Sequence, residues 1–162
     1  TRGVPSAIFP TIYNANTRIV QGPGYVAITY EMIHETRVIP TTARAHLSAD
    51  MRQHLGDSRG RWDGDTLVVD VTSFTDESWL GADGWFHSDE LHVIERLRRP
   101  SKNYLEYQFT IEDPKVLTKP WTSTWNTFSL SANNEDLLEN FCTNNENIEQ
   151  LKKLTAVEKN QK

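Results

Sequence analysis

The chain has 162 residues, a formal net charge of −5, 37% hydrophobic and 10% aromatic residues. That suffices for one domain with its own core. The acidic balance and the brevity of the densest basic run, Arg96-Leu97-Arg98-Arg99, argue against duplex nucleic acid as a partner. No apolar run reaches membrane-spanning length. The single cysteine, Cys142, excludes an intrachain disulfide and a cysteine-based zinc site, and its polar neighbours read as those of a bystander thiol.

Residues 1–24 are punctuated by Pro5, Pro10, Gly22, Pro23 and Gly24, with short extended pieces at Ala7–Phe9 and Thr17–Gln21. The opening Thr1-Arg2-Gly3-Val4-Pro5 is neither an initiator nor a signal peptide, so the chain reads as a processed or truncated piece. Alternation then predicts one long strand over Tyr25–Ile39. One face carries Val26, Ile28, Tyr30, Met32, His34, Thr36 and Val38; the other carries Ala27, Thr29, Glu31, Ile33, Glu35 and Arg37. Pro40 stops it. Residues 41–55 change period, and Ser48 reads as the cap of a short helical turn through Ala49, Met51 and Leu55.

Gly56–Phe74 organises the rest. Its first half reads as a turn centred on Asp63-Gly64-Asp65. Its second half is a half-buried strand over Thr66–Thr72, with Leu67, Val69 and Val71 on one side and Val68, Asp70 and Thr72 on the other. Thr75–Ser88 is a long loop carrying Trp79 and Trp85. Strands follow at Leu91–Leu97, with Glu95 among the inward apolar residues, at Tyr104–Glu112, with Leu105, Tyr107, Phe109 and Ile111 inward, and at Trp121–Ser131. The expected architecture is all-β and mainly antiparallel. A calycin- or lipocalin-like β-barrel over residues 1–132 is the first choice, with a polar, short-helical C-terminal tail over 133–162. A two-sheet β-sandwich is the alternative.

Four segments together carry a resemblance. They are Glu31-Met32-Ile33-His34 with Arg37, Ile39 and Pro40; Gly56-Asp57-Ser58-Arg59-Gly60 with Trp62 and Gly64-Asp65-Thr66-Leu67-Val68-Val69; Leu91-His92-Val93-Ile94-Glu95-Arg96; and Asp113-Pro114 with Pro120-Trp121. The chain resembles a family of secreted proteins of environmental bacteria whose reaction is uncharacterised. The resemblance implies a longer N-terminus with a signal peptide and a periplasmic or extracellular location. The family's Ala-Cys-His-Glu-Gly-Asn-Tyr pattern is replaced here by Phe141-Cys142-Thr143-Asn144-Asn145-Glu146-Asn147.

Strand parity places His34 and Glu95 on core-facing rows, near Tyr30 and Tyr107. A buried carboxylate needs a partner, so the residues suggest a His34–Glu95 proton-transfer pair with Tyr30 or Tyr107 as hydrogen-bond donor. Such a pair would serve an isomerase, lyase or hydrolase acting on a small apolar molecule. The alternative is a satisfied core histidine. Opposite faces gather Glu31, Arg37, His92, Arg96 and Glu106, either as a ligand-binding surface or as a solvated face with cross-strand ion pairs. Trp79 and Trp85, with Phe86, suggest a lid or stacking surface. Ser58 lacks the glycine pattern of a nucleophile elbow. His34, His46, His54, His87 and His92 show no metal-ligand spacing, so no metal or cofactor is expected. The three functional expectations are a binder of a small apolar or amphipathic molecule, an enzyme using His34 and Glu95, and an accessory subunit of an envelope assembly. A protein partner or a missing N-terminal region is the further partner considered.

Overall fold

The computed structural model describes residues 16–31, 34–80, 84–132 and 135–137. The expected strand at Ala7–Phe9, Cys142 and nearly all of the expected helical tail lie outside them.

Among the described residues, nine strands form two antiparallel sheets. The first sheet is β1 (Thr17–Gly22), β2 (Tyr25–Tyr30) and β3 (Thr36–Pro40), in that order. The second runs β4 (Asp57–Asp63), β5 (Thr66–Thr72), β6 (His92–Ser101), β7 (Tyr104–Glu112), with β8 (Trp121–Thr122) and β9 (Asn126–Ser129) both paired to β7. Among the described residues no ladder closes these sheets into a barrel, and the two-sheet sandwich fits.

Local chemistry explains the hairpins. β1 and β2 are joined by Pro23-Gly24, with Gly22 opposite Tyr25 and Gly24 at φ 78°; proline sets the first turn position and glycine supplies the positive φ of the second. β4 and β5 are joined by Gly64-Asp65, with Asp63 opposite Thr66. The expected turn sits where Gly64 adopts φ 57°, but residues 57–63 before it are a strand rather than part of the turn. The expected strands at Thr66–Thr72 and Tyr104–Glu112 match β5 and β7. The expected last strand is two short ones, β8 and β9. Ser48 starts a single turn, closed by Met51 N–H donating to the Ser48 carbonyl at 2.9 Å, and no helix follows.

The long strand expected over Tyr25–Ile39 is instead a hairpin. Tyr30 N–H donates to the Glu35 carbonyl at 2.9 Å, and His34 sits at φ 56° in the reversal. Pairing across this hairpin sets Val26 against Ile39 and Ile28 against Arg37, so even-numbered residues of β2 share a face with odd-numbered residues of β3. Parity therefore inverts after the turn. Arg37 and Ile39 enter the core, while His34, Thr36 and Val38 are exposed.

The core lies between the sheets. Val26, Ile28, Tyr30 and Ile39 of the first meet Leu67, Val69, Val71, Val93, Leu97, Tyr107, Phe109 and Ile111 of the second. At roughly 25 cal/mol per Å² of apolar area, this burial is the main favourable contribution to folding. The sheets approach each other closely at Gly60 of β4, where an added Cβ would lie 2.9 Å from Ile39 Cγ2. On the far side, between β1 and β9, the sandwich stays open.

Candidate functional site

Three groupings of polar or concave character emerge. The first is buried. Glu95 of β6 is 1% exposed and Arg37 of β3 is 5% exposed. The Arg37 Nη2 donates to Glu95 Oε2 at 2.5 Å, and the Tyr107 hydroxyl donates to Glu95 Oε1 at 2.8 Å. Sequence parity brought Glu95 and Tyr107 to the core correctly, but the partner is Arg37 and not His34. His34 lies on the surface turn, so the His34–Glu95 pair does not form. Its ring was assigned inward on an unbroken strand that the hairpin interrupts. Burial opposes the charge on Arg37, and the adjacent Glu95 carboxylate more than offsets this, raising its pKa above the ordinary guanidinium value. Burial likewise drives the Tyr107 hydroxyl well above its usual range, with Glu95 adding to the effect. Tyr30 is pushed up to about 12, chiefly by burial, against the pull of Arg37. Arg37, Glu95 and Tyr107 are locked in an ion pair and a hydrogen bond between the two sheets. The arrangement fixes which face of β3 turns inward; it offers no exposed base.

Glu31 is also buried, not on an open polar face. Its Oε2 accepts from the Asn16 backbone N–H at 3.1 Å, beside a backbone bond from Glu31 N–H to the Asn16 carbonyl at 3.0 Å. Of the expected polar surface, Glu31 and Arg37 are thus interior. His92, Arg96 and Glu106 lie on the other face of the second sheet, where Arg96 Nη1 reaches Thr110 Oγ1 at 3.4 Å and Arg98 Nε donates to Glu106 Oε2 at 2.5 Å.

The second grouping lies on that outer face; of its members the sequence offered His92 as a binding residue but did not join it to His46, Asp57, Asp70 and Glu112. His46 Nδ1 is 2.8 Å from Asp57 Oδ2, and its Nε2 is 2.8 Å from Asp70 Oδ1. His92 Nε2 is 3.0 Å from Asp70 Oδ2, and its Nδ1 is 3.1 Å from Glu112 Oε2. Arg59 Nη1 donates to the far oxygen of Asp57 at 2.6 Å. One continuous chain, Asp57–His46–Asp70–His92–Glu112, crosses β4 to β7. Burial lowers the His92 pKa, but its bonds to Asp70 and Glu112 outweigh this and leave it above the usual 6.5. Among the described residues no set of three His, Cys, Asp or Glu is arranged to hold a metal.

The third grouping is a cleft of about 630 Å³ at the open side of the sandwich. Ile19 of β1, Val26 of β2, Leu67 of β5, Leu97 of β6, Leu105 of β7 and Phe128 of β9 form its apolar wall. Trp62 and Tyr104 stand at its edge, both about half exposed. Charges sit around the rim: Arg18 pairs with Asp136, and Arg98 lies 4.2 Å over the Trp125 ring while bound to Glu106. Neither expected stacking residue lines this cleft. Trp79 and Trp85 project from the loop before β6, 57% and 64% exposed, with a bridge from Trp79 to Phe86. Beneath them Ser78 donates to His87 Nε2 at 2.8 Å, and His87 Nδ1 donates to the Ser88 carbonyl at 2.8 Å. This buried pair pins the loop.

No helix among the described residues is long and apolar enough to cross a membrane. No family model, curated protein or solved structure matches the chain.

Proposed function

We propose that the protein is a two-sheet binder of a small apolar or amphipathic molecule, held in the cleft between β1 and the β5–β6–β7–β9 edge. The observation that carries this reading is the cleft itself. Its volume of about 630 Å³ falls within the range of small-molecule sites. Its floor is the edge of the core, so an apolar group entering it extends the core rather than opening it. Residues ringing the mouth carry both signs of charge, which suits a molecule with one polar end. A barrel lumen, the first expected location, is not needed: the space between the sheets is filled by side chains. The resemblance to secreted bacterial proteins supports a periplasmic or extracellular setting for such a binder.

The enzyme reading based on His34 and Glu95 loses its geometry, because Glu95 is held by Arg37 and Tyr107. The scaffold reading retains one observation, the exposed Trp79, Trp85 and Phe86, and ranks second.

Titration with an environment-sensitive amphipathic fluorophore tests the binder. Saturable binding is expected, with Ile19→Asp and Leu130→Asp each weakening it about tenfold or more, while Trp79→Ala leaves it unchanged. Ile19 and Leu130 both line the cleft and are already well exposed, so the fold should tolerate the substitutions. Ten- to hundredfold is the scale of a lost apolar contact of ~1–3 kcal/mol. Binding that ignores Ile19 and Leu130 but falls with Trp79→Ala would move the site to the aromatic loop.

A further inference from the structure

Three adjacent strands set one apolar row across the larger sheet where the cleft opens. Trp62 of β4 pairs with Leu67 of β5, and Leu67 pairs with Leu97 of β6. Residues two apart along an extended chain share a face. Asp65, two before Leu67, and Arg99, two after Leu97, thus stand one step outward from that row, and all five residues line the cleft. The two steps run the same way. Thr66 lies opposite Arg98, and Asp65 and Arg99 are the next positions beyond that pair. Lys102 continues the line in the following turn, where its carbonyl accepts from Arg99 Nη2.

This edge of the cleft has two unlike ends. A carboxylate and an indole, Asp65 and Trp62, stand at the β4–β5 turn. A guanidinium and an ammonium, Arg99 and Lys102, stand at the β6–β7 turn. All four side chains are exposed, and among the described residues none of the three charges makes an ion pair. Of the other charges at the mouth, Arg98 is bound to Glu106 and lies over the Trp125 ring. Arg18 pairs with Asp136 on the first sheet's side, with Glu135 next in the chain. An ammonium is attracted to a carboxylate and to the face of an indole. An oxyanion is held by neighbouring cations. A head group with one charge would meet a like charge at one end of this edge.

We propose that the ligand of the cleft is a zwitterionic amphiphile. Its tail lies on Leu67, Leu97, Leu105 and Phe128, its oxyanion faces Arg99 and Lys102, and its ammonium faces Asp65 and Trp62. The proposal rests on the binder reading and adds the head group to it.

Titration calorimetry of the whole chain with octyl amphiphiles that differ only in head group tests it, at low ionic strength and below their micelle concentrations. The heads are phosphocholine, phosphate, trimethylammonium and glucoside. Octylphosphocholine is expected to bind tightest, about tenfold tighter than octyl glucoside, the scale of two exposed charge contacts, and added salt should shrink that margin. Glycerophosphocholine, which has the head without the octyl chain, should bind at least about tenfold more weakly than octylphosphocholine. Arg99→Ala with Lys102→Ala should lower the phosphocholine-to-glucoside affinity ratio about fivefold, and Asp65→Asn should lower the phosphocholine-to-phosphate ratio by about as much. Ratios within one variant read the head group rather than the fold. Failure of every octyl amphiphile to bind would remove the cleft reading and this proposal with it. Glucoside, phosphate or trimethylammonium binding as tightly as phosphocholine, or ratios unmoved by the substitutions, would overturn the zwitterionic head and leave the cleft as a site.

Discussion

Arg37 and Glu95 decide how the first sheet faces the second. Charges this deeply buried contribute little net stability as a pair, but removing one partner strands the other. Arg37 makes its ion pair through Nη2, and its Nε and Nη1 find no hydrogen-bond partner among the described residues. Arg37→Met is therefore expected to cost about 3–5 kcal/mol in urea unfolding. Adding Glu95→Gln should recover most of it, since the amide oxygen still accepts from Tyr107. A double variant as unstable as the single one would mean that the guanidinium contributes by packing rather than by answering the Glu95 charge. The same residue scale contains the two histidines of the outer-face chain, each placed between carboxylates contributed by separate segments.

Among the elements, the β4–β5 hairpin carries the most constraint. Gly56 stands before it at φ 66°, and a Cβ there would lie 2.7 Å from the Thr72 carbonyl oxygen. Gly64 in the turn has φ 57° with open space around it. Both glycines meet the left-handed backbone penalty, about 1 kcal/mol, but only Gly56 adds a backbone clash. Gly56→Ala should thus destabilise the protein clearly more than Gly64→Ala in matched denaturant titrations. Equal effects would show that β4 shifts freely at its start. Sequence alternation sufficed for β5 and β7, because each strand has one apolar face and is ended by Gly, Pro or Asp signals. It failed at residues 31–35. The sequence between β2 and β3, Glu31-Met32-Ile33-His34-Glu35, has no Gly, Pro, Asn or Asp and continues the alternating pattern. The remainder of that expected strand, through Ile39, was assigned to the wrong face, which is why His34 replaced Arg37 as the expected partner of Glu95. Alternation did place Asp70, His92 and Glu112 off the inward faces of β5, β6 and β7. His46 was illegible because it lies in an irregular segment whose contacts depend on tertiary placement.

At the scale of the whole molecule, two sheets meet closely at Gly60 and part at β1 and β9. Among the described residues, three strands face a sheet of six, and the cleft forms between β1 and the β5–β6–β7–β9 part of the larger sheet. The proposed binding role rests on this asymmetry, not on the ionic core between the sheets. The most direct measurement is a two-dimensional NMR titration of the intact chain with a short-chain neutral amphiphile below its micelle concentration. Shifts are expected to concentrate at Ile19, Leu97, Leu105 and Phe128 and at the Trp62 indole, with the Trp79–Phe86 loop silent. Saturating shifts at that loop alone, or no specific shifts anywhere, would contradict the assignment of the cleft as the binding site.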